Sequence, residues 1–153
     1  MTYHMGIDPG RKGAIAVLDI AGCEVVAHDM PQTTAELHDL IADLPTIKLC
    51  VLEKLHPGPL MSRTAIARMF EDYGALKGAL AWRDIPVKLV RPSIWKPAMG
   101  LTGDKSASRE LAMQRFPAQS DLFKRAKDDG RAEAALLALY GVERCGQGRV
   151  RDA

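Results

Sequence analysis

The stretch "MGIDPGRKGAIAVLD", Met5 to Asp19, holds two short apolar runs separated by Pro9-Gly10 and a basic pair, Arg11-Lys12. Proline fixes its own φ and glycine admits a positive one, so the junction reads as a tight turn. The two runs then read as neighbouring antiparallel strands. A lone carboxylate, Asp8, closes the first run. An aspartate before Pro-Gly is a common turn residue. The same group could hold a metal or point at a phosphate, and the rest of the chain has to decide.

Working outward, His4–Asp8, Gly13–Asp19 and Cys23–Met30 form a predicted three-strand meander, with Ala21-Gly22 as the second turn. Thr33–Asp43 reads as a helix with Thr34 as its N-cap. "IKLCVLEK", Ile47 to Lys54, is an almost unbroken apolar run reaching Glu53, the pattern of a strand buried on both faces. Prolines make a loop of Leu55–Met61. A long helix follows from Ser62 to about Trp82, with Ile66, Met69, Tyr73, Leu76 and Leu80 as one apolar stripe. Gly74 and Gly78 leave a smooth patch on it, suited to core packing or to a two-fold interface. Ile85–Val90 is another strand, Pro92 opens a short turn or helix, and Asp104–Phe116 is a helix stopped by Pro117. The last helix runs from Asp129 to about Gly141, with Ala132, Ala135, Leu136 and Leu139 on its buried side. This order predicts an α/β fold: a mixed sheet, antiparallel meander plus parallel later strands, flanked by helices.

With 153 residues, no repeat and no linker, the chain reads as a single domain over 1–145 and a polar tail over 146–153. A net charge of +2 is too small to establish a nucleic-acid partner by itself. Three scattered cysteines show neither metal spacing nor a disulfide framework, which suits a reducing compartment. No signal peptide or membrane span is visible, so a cytoplasmic location is expected.

Asp8 and Glu53 each stand at the carboxyl end of a predicted strand. If those strands are parallel neighbours, both acids emerge at the sheet edge where open α/β sheets bind ligands. On the last helix, Asp129 and Glu133 are four apart, about 40° around the axis, and share a face. Asp128 and Glu133 are about 140° apart and cannot, leaving Asp128 as an N-cap or an outer group. Four converging carboxylates repel one another, and divalent cations are the natural compensation. Oxygen-only donors select Mg²⁺ or Mn²⁺ over zinc. Metal pairs held this way serve phosphodiester cleavage.

Taken together, "GIDPGRKGAIAVLD", "VLEK", "VKLVRPSIWKPAMGLTGDKSASRELAMQRFP" and "KDDGRAEAALLALYG" resemble the RuvC-type Holliday junction resolvases, the "DDGRAEA" form most like small bacteriophage members. The resemblance covers about Met5 to Gly141. It implies an RNase H-like fold with a five-stranded sheet. It also implies a homodimer and paired nicks in four-way DNA junctions with Mg²⁺ or Mn²⁺, two ions per active site. It places Asp8, Glu53, Asp129 and Glu133 as metal ligands and Lys105 at the scissile phosphate. The family's last helix commonly carries its penultimate acid three residues before the final one. Here that position is Gly130, so Asp129 is the nearest match and Asp128 the alternative. Many relatives place an aromatic wedge after the glutamate; this loop offers His56, Pro57, Leu60 and Met61 instead.

Bases near these acids in sequence, Arg11, Lys12, Arg63, Arg109, Lys124, Arg125 and Lys127 together with His56 and Lys105, are the expected DNA contacts. No nucleotide cofactor or membrane partner is expected. Three rival readings stay open. One is an RNase H-fold nuclease acting on flaps, forks or RNA, and another a junction-binding module without catalysis. The third is an actin- or sugar-kinase-like ATPase, whose first phosphate loop "GIDPG" also resembles, but whose fold needs a second domain.

Overall fold

The computed structural model describes residues 1–21 and 23–145, with every side chain among them except that of Lys105. The expected polar tail, 146–153, lies outside the described residues. Five strands form one sheet: β1 Tyr3–Asp8, β2 Ala14–Asp19, β3 Glu24–Asp29, β4 Ile47–Glu53 and β5 Val87–Val90. Their order is β3-β2-β1-β4-β5. β1 and β2 pair antiparallel from Tyr3 opposite Asp19 to Asp8 opposite Ala14, and β3 continues the meander. β4 pairs parallel with β1, and β5 parallel with β4. The predicted mixed sheet is therefore present.

Strand parity divides the core. Met5 and Ile7 of β1, with Cys50 and Leu52 of β4, face a cluster with Leu37, Ile41, Tyr73, Leu76 and Leu80. Those side chains belong to α1 (Thr34–Asp43) and α2 (Arg63–Trp82). Alternate positions, Leu49 and Val51 of β4 and Ala14, Ala16 and Leu18 of β2, face the other cluster. It also holds Trp95 of α3 (Pro92–Ala98), Ala112 of α4 (Lys105–Arg115), and most of α5 (Asp129–Tyr140). Because side chains alternate along a strand, Asp8 and Glu53 fall on the α5 side.

α5 is buried nearly all round, as a helix packed between a sheet and a second helical layer must be. Its approach to β1 is close. A Cβ on Gly6 would lie 2.0 Å from the Ala134 carbonyl oxygen and 2.3 Å from the Ala138 nitrogen. Only glycine fits there.

Local chemistry adjusts several expected boundaries. Thr33, not Thr34, caps α1: its hydroxyl accepts from the Glu36 amide, and the Glu36 carboxylate accepts from the Thr33 amide. A glutamate three residues on selects the earlier threonine. Ser62 caps α2 by accepting from Ala65 N at 3.1 Å. The α2 stripe buries Tyr73, Leu76 and Leu80, whereas Ile66 and Met69 are only half-buried, because the first turns run past the sheet. Gly74 and Gly78 face open space. The short element at Pro92 is a helix, and Pro117–Phe123 is a 3-10 turn that buries Phe123. No helix among the described residues is long and apolar enough to cross a membrane.

Candidate metal centre

Asp8 and Glu53 each stand one residue beyond the paired Ile7 and Leu52, so two adjacent parallel strands end on carboxylates. α5 crosses this edge and adds Glu133 one turn in from its start. One carboxylate oxygen from each of Asp8, Glu53 and Glu133 lies within 4.8 Å of the other two. All three residues are half-buried.

Two neighbours orient the acids. The Trp95 indole Nε1 donates to Glu53 Oε2 at 2.7 Å. Lys96 Nζ donates to Glu133 Oε1 at 2.9 Å, and the Ser108 hydroxyl lies 3.4 Å from the same oxygen. The Tyr73 hydroxyl donates to the Glu53 carbonyl at 3.1 Å and fixes the strand end. Trp95 and Ser108 were not singled out for the site by sequence, and Lys96 stood there only as one of several bases near the acids. Pro92 at the first helical position was the available signal, since it sets the turn on which Trp95 and Lys96 face inward.

The electrostatics show how poorly the cluster is compensated. Burial, then the charges of Glu133 and Glu53, push the Asp8 carboxyl up to about 8. Burial also raises Glu53, against the Trp95 hydrogen bond, and Glu133 adds to the rise. Burial would lower Lys96, but its hydrogen bond and ion pair with Glu133 outweigh that and hold it above its ordinary value. One ammonium faces three carboxyls. Hard oxygen donors this close, short of positive charge, fit a divalent cation of the Mg²⁺ or Mn²⁺ type.

The acids at the start of α5 differ. Asp128 is buried and bonded to Arg125, whose Nε and Nη2 reach its oxygens at 2.9–3.1 Å while the Arg125 amide donates at 2.9 Å. Burial raises its pKa, yet the Arg125 hydrogen bonds outweigh that and hold it below the usual range. Asp128 therefore points at Arg125 and stands outside the three-acid cluster. Asp129 is half-buried beside it, near enough for its charge to act on Asp8, but also outside that cluster. The position three before Glu133 carries no side chain. A Cβ on Gly130 would lie 2.5 Å from the Lys12 carbonyl oxygen.

The expected DNA contacts are spread over several elements. Arg11, Lys12, Arg125 and Lys127 line one cleft of about 660 Å³ with Asp128 and Asp129. Lys124 is ion-paired with Asp121, and Arg109 donates to the Lys124 carbonyl at 3.1 Å. His56 is exposed on the loop after β4, and Arg63 is exposed at the start of α2. On the same loop Leu60 is 98 % exposed. The side chain of Lys105 lies outside the described residues.

A scan against protein-family models and a search of curated proteins both give no match. Solved structures do match. Thermus thermophilus RuvC in complex with a Holliday junction substrate superposes with a TM-score of 0.69 at 16 % identity, covering 96 % of this chain and 97 % of that one. A second structure of Thermus thermophilus RuvC gives 0.60 at 17 %, covering 95 % and 97 %. The fowlpox virus Holliday junction resolvase gives 0.59 at 18 %, covering 94 % and 99 %. Across nearly its whole length, this chain has the RNase H-like fold seen in RuvC-type resolvases.

Proposed function

We propose that the protein is a divalent-metal-dependent endonuclease that resolves four-way DNA junctions by paired nicks. The observation that carries this reading is the convergence of Asp8, Glu53 and Glu133 at one sheet edge. The scaffold supports it, since a similar structure was solved with a Holliday junction substrate.

Asp8, Glu53 and Glu133 would hold Mg²⁺ or Mn²⁺, with Asp129 closing on the site from the first turn of α5. When bound, the metal supplies an activated water and charge stabilisation at the leaving oxygen. The residues around it do the positioning. Trp95 keeps one Glu53 oxygen occupied and so turns the other toward the centre. Lys96 and Ser108 do the same for Glu133. Lys96 also brings a fixed positive charge to the edge, where it can meet a non-bridging phosphate oxygen. Lys105, at the start of α4, is a second candidate for phosphate contact. Leu60, held out on a proline-bounded turn, is suited to press between base pairs at a crossover.

A junction has two strands to cut, which suits a two-fold dimer. The exposed side of α2, with Phe70 47 % exposed and Gly74 and Gly78 open, supports that helix as the dimer face. Sedimentation of wild type against Phe70→Glu tests it, and an unchanged dimer in the variant refutes this face.

The decisive experiment compares cleavage of a four-way junction, a flap, an RNA–DNA hybrid and linear duplex in Mg²⁺ and Mn²⁺. Wild type should cut the junction in symmetric pairs, and Asp8→Asn and Glu53→Gln should not. Undiminished cutting by either variant sinks the assignment. Preference for the flap or hybrid moves the function to those substrates.

A further inference from the structure

We infer that the cleft between the β1–β2 turn and the segment Arg125–Asp129 is a second phosphate site, which holds a non-scissile phosphodiester of the cleaved DNA strand beside the metal centre. This rests on the nuclease reading above and adds a subsite to it.

The cleft, about 660 Å³, opens beside the three-acid cluster, with Asp129 on the boundary between them. Its charges sort into two kinds. Asp29 is gripped by Arg131 at 2.7 and 2.9 Å, and Asp128 by Arg125. These bidentate pairs cancel internally and stiffen the walls. Lys12 and Lys127 are exposed and have no ion-pair partner among the described residues. Arg11 makes only a loose contact with Asp72, at 3.8 Å with both groups more than half exposed. Among the described residues Asp129 is the one acid of the cleft without an arginine, and its charge reaches Asp8. The uncompensated charge of the cleft is therefore mainly positive, as an anionic strand passing the carboxylate cluster requires.

The turn that presents Lys12 is anchored. Gln32 Nε2 donates to the Arg11 carbonyl at 3.1 Å and to the Met30 carbonyl at 2.7 Å. From the other side the first turn of α5 presses on the turn: a Cβ on Gly130 would lie 2.5 Å from the Lys12 oxygen and 3.1 Å from the Gly13 Cα. Lys12 is thus tied to the helix that carries Glu133. A loop fixed at both sides loses little freedom when it binds, which favours a defined contact over a diffuse one.

The test uses an immobile four-way DNA junction with Ca²⁺ in place of Mg²⁺. Binding is measured from low to moderate NaCl for wild type, Lys12→Ala/Lys127→Ala, and Lys48→Ala, a control at the opposite end of β4. The double variant should bind roughly tenfold more weakly, with a log–log salt slope shallower by about 1.5, and the control should match wild type. A methylphosphonate scan then neutralises one phosphate at a time along the cleaved strand. Wild type should lose affinity at one position near the cut, and the double variant should be indifferent there. A wild-type slope in the double variant, or the same positional loss in both proteins, overturns the subsite alone. A wild type that binds no branched DNA overturns the nuclease reading as well.

Discussion

Two groups of acids share one edge of the sheet. Asp8, Glu53 and Glu133 face one another with a single ammonium, Lys96, among them. Asp29 and Asp128, a few residues away in the fold, each rest in the fork of an arginine. The second group is satisfied by the protein itself. The first is left short of positive charge, and a folded chain keeps such a cluster at a cost in stability. What separates the two groups is their counter-charge, not residue type or exposure.

The comparison can be broken most decisively by function. Asp8→Asn and Glu133→Gln should slow junction cleavage by about 10³-fold or more under single-turnover conditions in Mg²⁺. Asp128→Asn should still cut once folded. Loss of cutting in a folded Asp128→Asn would put the two groups on an equal footing.

Stability should separate them in the opposite sense. Asp128→Asn weakens the bond between a buried carboxylate and a half-exposed arginine and should cost about 1–3 kcal/mol in urea unfolding. Asp8→Asn should stabilise the metal-free protein. A carboxyl held above its ordinary value keeps a proton in the folded chain that the unfolded chain has already released. The Asp8 contribution to wild-type stability therefore falls as pH rises from 3.8 to about 8. The Tm gap between Asp8→Asn and wild type should be near zero at pH 4 and widest near pH 8, by several degrees. Mn²⁺ should raise the wild-type Tm and leave that of Asp8→Asn almost unmoved. A gap that stays flat with pH would show that Asp8 is not strained by its neighbours.

The smallest effect should come from Arg131→Gln. Asp29 is largely exposed, so its ion pair is worth about 0.5–1 kcal/mol. A larger loss would mean that this pair holds the cleft wall as firmly as Arg125 does.

Much of the scaffold was legible in the sequence, because burial on both faces leaves an unbroken apolar run in β4 and tight turns punctuate the meander. Asp8 and Glu53 were legible for the same reason: strand ends are marked, and parity then fixes their face. The pair Asp128-Asp129 was legible only in part. Helical phase sets Asp128 away from Glu133, but its bond to Arg125 depends on the 3-10 turn over Ala126–Asp128. Lys96 read as one solvated base among many. Its part depends on α3 docking Trp95 into the core, a contact between residues 42 apart in the chain.

Gly6 has a consequence for when the centre can exist. It lets β1 touch α5, well over a hundred positions later in the chain, about Gly6 against Ala134 and Ala138, with no side chain between. Closing so long a loop is slow and comes late in folding. Until α5 has been made and has docked, Asp8 and Glu53 lack their third partner, Glu133. As a nuclease, the protein would gain its cutting centre only when α5 docks against β1.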